Sequence, residues 1–526
     1  MRAFQMKCAR LVFILAIAWY AAPVLAEVDN QYIMKPSTAV QTMERWISSS
    51  PALQNWVTAF WSKYSRDKAW SFFYPGQRTW GYADKHSILP GESFNVMLSK
   101  EPGNKPLTGK LRVVRISGDN YTRVDQLVFE SEMLSVEPQQ LRPEVSVVGA
   151  AWPYSANIGA TRHWKSGFYF INFVATDGHV DEHVATMIVR PAVKRGDILV
   201  KFSTNTVEAY NRWGGFSLYA SATYDTSSSM VSFDRPTDFF VFNDALFFLP
   251  WIETYANAKG LKVDYISDFD LHTDPSILDD YKLFVSQGHD EYWTKEMFDA
   301  VEHRIFTKGM NVLFLSANTA YWQVRYVDVN QSPSGQFLGR QLICYKTYND
   351  EFVDPMASRG DGPNSLVPWL TGMFRTAARR PETMLMGVAY QNWFPIVNAA
   401  SDYTVMNTQM PFFEGTGLNA GDQLRGIVGY EWDNRDPVGD GNRLWIAGKS
   451  LNAQIPLESI HVLMESNPLA GDGKQGKAEA VYWESSAGAK VFSSGTAWWN
   501  WGYSKPGVAT AQFSRLNENL FNYMLR

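Results

Sequence analysis

The sequence predicts an α/β plus β protein, in which a β-sandwich over residues 84–193 is followed by a doubly wound α/β domain over residues 197–526. Two observations carry this. Between His86 and Pro191 the chain reads as short alternating runs, among them "SFNVMLS", "KLRVVRIS", "QLVFESEML", "GFYFINFVAT" and "HVATMIVR", broken by Pro, Gly, Asp and Asn. After Gly196, buried-strand runs alternate with segments of helical period, the signature of a parallel sheet covered by helices.

Taken in order, the first 26 residues stand outside the fold. Arg2, Lys7 and Arg10 precede an apolar run from Leu11 to about Ala22, and Val24-Leu25-Ala26 offers small residues for cleavage. That is a secretory signal, with an apolar segment too short to span a bilayer. It predicts a periplasmic or secreted protein with no membrane association after cleavage. Residues 27–83, with "AVQTMERWISSS" and "LQNWVTAFWSKY", carry apolar spacing near 3.6 and predict two short helices and a connector.

The alternating runs that follow are spaced as in an immunoglobulin-like sandwich. Asp177-Gly178, between two of them, is a hairpin turn signal. Pro191–Gly196 reads as a linker. In the α/β domain, "DILVKFS", "KVDYIS", "YKLFVSQ" and "MNVLFLSAN" predict strands. "ALFFLPWIETYANAKG", ended by Gly260, and "TKEMFDAVEHRIFTKG" predict helices. Residues 326–440 lack clear periodicity and read as a large insertion. "RLWIAG", "AEAVYWES" and "AKVFSSG" restore strands, and "ATAQFSRLNENLFNYML" closes with a helix.

Bulk properties exclude several classes. The net charge of −5 with both signs abundant gives no footprint for nucleic acid. Of the two cysteines, Cys8 leaves with the signal. Cys344 then stands alone in "RQLICYKTY" and reads as a buried small hydrophobe, so no internal disulfide forms.

Ligands of an open parallel sheet bind beyond the carboxyl ends of its strands. The run Leu283-Phe284-Val285 stops at Gly288 and is followed at once by His289, Asp290 and Glu291. Asn318 ends the next strand, and Asn205 and Tyr210 follow the first. Helix capping and loop solvation are the plain alternative for each. The turn holds no Ser or Cys, which argues against an acyl-enzyme and towards activated water. Asp290 and Glu291 are adjacent and point apart, so they make a poor glycosidase pair. His179 and His183 share a strand face without an evident third zinc ligand. "DNRDPVGDGN", residues 433–442, misses the order of a calcium loop and reads as a surface loop.

"TNTVEAYNRWGGFSLY", "VSFDRP", "ISDFDLH", "SQGHDEYW", "NVLFLSANTAYWQVRY", "VGYEWDNR" and "VFSSGTAWWNWG" together resemble the large (beta) subunit of N,N-dimethylformamidase, over roughly residues 85–526. The resemblance implies a glutamine-amidotransferase-like α/β domain and a mononuclear ferric ion held by two tyrosinates and a glutamate. Carried over by motif, the ligands are Tyr169 in "SGFYFINF", Tyr210 in "EAYNRWGG" and Glu291 in "GHDEYW". Their spacings are 41 (210 − 169) and 81 (291 − 210) residues. His289, Asn318 and Glu431 match polar residues beside the metal. Three hard oxygen anions suit Fe3+ in charge, and the ion would polarise an amide carbonyl and acidify bound water.

The implied activity is a metal-dependent amidohydrolase of small amides. Three departures keep alternatives open. The chain has an export signal, leaves no room for an extra lectin-like domain, and does not reveal whether a small partner subunit or a homo-oligomer exists. A hydrolase of another substrate class on the same site, such as sugar derivatives, and a non-catalytic extracytoplasmic binding protein remain the alternatives.

Overall fold

The structure, a computed structural model, describes residues 77–526 except 101–105, 143, 219–227, 238–242, 329–336, 347–353, 355–368, 394–399, 437–444, 447–448, 451–454, 456–458 and 471–472. The expected signal peptide and most of the expected helical segment 27–83 lie outside the described residues.

Two sheets enclose the first core. Thr79–Ala83, Phe94–Lys100 and Tyr154–Ile158 form one. The other runs in the order Ser87–Ile88, Val180–Val189, Gly167–Ala175, Leu107–Asp119, Thr122–Glu130, with Leu134–Val136 also on the Leu107–Asp119 strand. Phe94, Val96 and Leu98 from the first sheet pack with Leu111, Val113, Ile171 and Phe173 from the second. These inward residues alternate along their strands, as the pleat requires. Residues 79–83, expected in a helical segment, are a strand: they pair in register with Val96–Lys100, while Trp80 and Tyr82 pack with Trp152 and Trp213. The Asp177-Gly178 turn forms as expected, with Gly178 at φ +87°.

A nine-stranded sheet forms the second unit. Val263–Ser267, Gly196–Phe202, Tyr281–Gln287, Asn311–Leu315 and Lys490–Ser493 lie parallel, side by side in that order. Ala478–Glu484, His461–Ser466, Ser401–Val405 and Gln423–Val428 extend it antiparallel. Ile198, Val200, Leu283, Val285 and Leu313 face the helices Asn243–Lys259 and Ala511–Met524. Leu199, Phe284, Val312 and Phe314 face the helix Lys295–His303 on the other side. Burying each such side chain contributes roughly 1.5–3 kcal/mol. Both faces are covered, which explains the near-continuous apolar runs at the centres of these strands.

The stretch expected as an insertion is partly integral: the last two strands of this sheet, Ser401–Val405 and the edge strand Gln423–Val428, come from it. Their residues alternate between apolar and polar too briefly for the pattern to stand out. Within "RLWIAG", the described residues Trp445–Ile446 form a strand paired with Lys449–Ser450, outside the main sheet.

The two units share a core. Ile116, Phe168, Phe170 and Ile188 from the sandwich belong to the same apolar cluster as Val200 and Trp251. Arg115 Nη2 pairs with Glu253 Oε1 at 2.7 Å, and the Tyr121 amide donates to Thr254 Oγ1. Gly118 passes so close that a β-carbon there would lie 2.0 Å from the Pro250 carbonyl oxygen.

Candidate active site at the strand ends

The strand Tyr281–Gln287 ends because Gly288 adopts φ +73°, a conformation open to glycine and costly for other residues. The chain then turns His289, Asp290 and Glu291 into the protein, where each is at most 2% exposed. Asp290 is the anchor. It accepts from Ser286 Oγ and from Lys201 Nζ, 2.7 Å away. Lys201 also bonds Asp268 and is wholly buried. An ammonium without water is stable only between such partners. Asp290 therefore orients its neighbours, and Thr294 rather than Asp290 caps the next helix.

The helix Thr204–Tyr210 supplies the next contacts. Thr206 Oγ1 accepts from the amides of Glu291 and Tyr292 at 2.9 and 3.2 Å. One turn on, the Tyr210 hydroxyl bonds Glu291. Asn205 is structural: its amide donates to Asp268 and its side chain to the Tyr292 carbonyl.

From the neighbouring strand end, Asn318 adopts φ +54°. Its backbone amide donates to Asp433 Oδ1 at 2.8 Å and its Nδ2 to Glu431 Oε2 at 3.1 Å. Glu431 Oε2 also lies 2.7 Å from His289 Nε2, and Glu291 Oε2 lies 3.5 Å from the same nitrogen. The Tyr430 hydroxyl sits 3.1 Å from His289 Nδ1. The structure thus brings together Tyr210, His289, Glu291, Asn318 and Glu431.

Two participants escaped the sequence reading. One is Tyr430. The other is Lys346, whose half-buried ammonium donates to Tyr292 Oη at 2.9 Å and lies over the Trp322 ring. Tyr430 neighbours Glu431 in a quoted motif, but nothing in the sequence separates it from the other tyrosines.

Burial sets the electrostatics. It pushes the Glu291 carboxyl above the usual range; the His289 imidazole opposes this and Glu431 adds to it. Burial and the Glu291 charge drive the Tyr210 phenol well above its ordinary value. The Asp433 carboxyl is pushed up to about 7 by burial, against its hydrogen bond from Asn318. Glu291 Oε2 and Asn318 Oδ1 are buried with no hydrogen-bond partner among the described residues. Such atoms are costly, and a site that binds a polar ligand accounts for them.

The family model described as N,N-dimethylformamidase beta subunit-like, C-terminal, matches residues 113–511. The chain belongs to that family. Comparison with curated proteins finds no match.

In this dimethylformamidase-like protein one expected ligand lies elsewhere. Tyr169 and Ile171 face the sandwich's own core, whereas Phe168 and Phe170 face the α/β domain. Strand parity therefore turns Tyr169 away from the cluster. Its hydroxyl donates to the Lys165 carbonyl at 2.5 Å, its ring stacks on Trp164, and Arg115 and Glu253 are its charged neighbours. Burial pushes the phenol up to about 12. Tyr210 and Glu291 suit a hard cation, and the orphaned Glu291 oxygen is free for one. The trio carried over by motif does not fit as a whole. Among the described residues, no group of three or more His, Cys, Asp or Glu is arranged to hold a metal ion.

The remaining candidates resolve simply. His179 pairs with Asp181, while His183 sits at φ +56° and stacks on Phe170, so the two form no ligand pair. Cys344 is buried, its thiol pushed up to about 12 by burial. Asp433 and Asn434, expected in a surface loop, are buried strand residues. Among the described residues, no helix is long and apolar enough to cross a membrane.

Proposed function

We propose that the chain hydrolyses the C–N bond of a small amide with a water activated at the His289–Glu291–Glu431 cluster. One observation carries the reading: two buried carboxylates converge on one imidazole nitrogen in a member of this family, and one carboxylate oxygen is left without a hydrogen-bond partner. The water oxygen bonds to the carbonyl carbon as its proton passes to Glu431. Collapse of the tetrahedral intermediate breaks the C–N bond, and the nitrogen takes a proton from the cluster as it leaves. The products are a carboxylate and an amine. Proton transfer of this kind contributes about 10²–10⁴-fold.

His289, Glu291, Asn318 and Glu431 are only 1–5% exposed, which favours a small substrate. The family resemblance suggests a ferric ion, and Tyr210 and Glu291 are the two side chains placed to hold it; because Tyr169 does not fit, no step above passes through a metal. The basic and apolar residues 1–26, which resemble a secretory signal, support an activity in the periplasm or outside the cell.

The test is a panel of formamides, acetamides and glycosides with wild type and Glu431→Gln. Amine release by wild type that falls at least 100-fold in the variant supports the reading. Glycoside hydrolysis without amine release overturns it.

A further inference from the structure

We propose that a cleft between the sandwich and the α/β domain binds a short-chain carboxylate, on the reverse face of the helix that carries Tyr210. The proposal stands apart from the amide reading, because binding needs no turnover.

The helix Thr204–Tyr210 is used on two faces. Thr206 and Tyr210, one turn apart, meet Glu291. Thr204, Val207 and Glu208 share the opposite face, as their spacing of three and four requires. They line a cleft of about 60 Å³ that the sandwich closes with Ala83, Lys85 and Ala185. A water needs roughly 10–15 Å³ of such space, so the cleft takes a ligand of about four to six non-hydrogen atoms.

Charge sets the kind of ligand. Arg340 lines the cleft and is 6% exposed. Its Nε donates to Asp234 Oδ1 and its Nη2 to the Ala83 and Phe233 carbonyls, which leaves Nη1 without a hydrogen bond to a described residue. An N–H on so buried a group is costly without an acceptor. Among the described residues Glu208 is the one carboxylate on the wall, and Arg235 Nε at 2.7 Å and Asn211 already hold it. The His86 imidazole bonds the Gly339 carbonyl and is kept neutral by burial. Lys85, exposed at the rim, donates only to the Ser93 carbonyl among the described residues. A surplus positive charge and an unused guanidinium N–H therefore face the cleft, which suits an anionic oxygen. The hydroxyls of Thr186 and Thr237 are on the wall to receive the other oxygen of a carboxylate. Ala185, Val207 and Phe233 give the rest of the lining an apolar character that matches a short alkyl tail and not an inorganic anion.

Calorimetric titration of the whole protein with sodium propionate at low ionic strength tests this. Propanamide and sodium phosphate are the comparison ligands, and Glu431→Gln is a lesion of the other site. The expected result is propionate binding in wild type and in Glu431→Gln, with both comparison ligands weaker by about tenfold, as loss of a charge-assisted hydrogen bond or of the apolar fit requires. Arg340→Lys keeps the charge, removes the unused N–H and should weaken propionate about tenfold. Lys85→Glu changes an exposed side chain, leaves the packing alone and should weaken it about threefold; it decides the matter should Arg340→Lys fail to fold. Absence of propionate binding, equal binding of propanamide or phosphate, or binding unchanged in Lys85→Glu overturns the proposal. So does binding that Glu431→Gln abolishes, since the ligand then occupies the other site. If propionate binds as expected and no amide releases amine, the hydrolase reading alone falls.

Discussion

Replacing Lys201 by Met tests whether the base of the site is held by charge. Lys201 is 0% exposed and lies between Asp268 and Asp290, themselves 0% exposed. Methionine fills the volume of the stem and leaves two carboxylates facing each other in the interior. Removing one partner of a buried ion network costs about 3–5 kcal/mol, because the remaining charge stays desolvated. The pH dependence gives a sharper test. Burial raises the Asp268 carboxyl, and Lys201 is the chief influence holding it down. Loss of the ammonium raises it further. A carboxyl with its folded pKa above its unfolded value contributes stability that is complete below the unfolded pKa and lost as pH rises through the folded one. The deficit of Lys201→Met should therefore be small near pH 4 and largest at pH 7–8. Urea titrations followed by circular dichroism and tryptophan fluorescence measure it, read as one free energy where the two curves coincide. Adding Asp268→Asn should return part of the loss at pH 7. A deficit below ~1 kcal/mol, or one equal at pH 4 and pH 8, refutes the reasoning, since 3–5 kcal/mol is expected for a buried network.

Three further outcomes are expected. If the protein binds ferric ion, Tyr210→Phe should abolish any visible tyrosinate absorption and Glu291→Gln should lower the iron content, while Tyr169→Phe leaves the spectrum unchanged; spectra and metal analysis check this. Thr206→Ala removes the acceptor of the Glu291 and Tyr292 amides and should cost about 1–3 kcal/mol of unfolding free energy, a loss that Thr206→Ser should largely avoid. Gly118→Val must push the Leu107–Asp119 strand off Pro250 and should lower the melting temperature far more than Gly178→Ala, whose β-carbon would meet nothing within 4 Å; differential scanning calorimetry compares the two.

Much of the site was legible because its parts end parallel strands. A buried apolar run must stop somewhere, and the polar residues after Leu283-Phe284-Val285 and after Asn311–Leu315 fall where the sheet opens. His289, Glu291, Asn318 and Tyr210 were marked as candidates by that rule. Glu431 came through the motif resemblance, which also gave Tyr210 its role as a ligand, and the structure sets both beside Glu291 or His289. Tyr169 shows the limit of carrying a spacing across: 41 residues fixes which strand a side chain is on, but a shift of one residue decides which face it takes. Tyr430 and Lys346 reach the site from distant loops, and no local pattern marks a residue for a contact made by tertiary packing. The Ser401–Val405 and Gln423–Val428 strands were missed for a related reason, since strands of mixed polarity at the antiparallel end of the sheet lack the continuous apolar run of a central one.

The joint at Gly118 bears on how this chain could be divided or rearranged. Read by itself, the Pro191–Gly196 linker suggests two separable modules and a natural point for a gene fusion. Yet the side chains of Ile116, Phe168, Phe170 and Ile188 are inside the α/β core, and the backbones meet at Pro250 with no space for even a methyl group. A sandwich cut free at the linker would carry an exposed aromatic face that in the intact chain never meets water, and the remainder would carry the matching hollow. Recombination among relatives would succeed only when both sides of that contact travel together, so the unit of inheritance here is the pair.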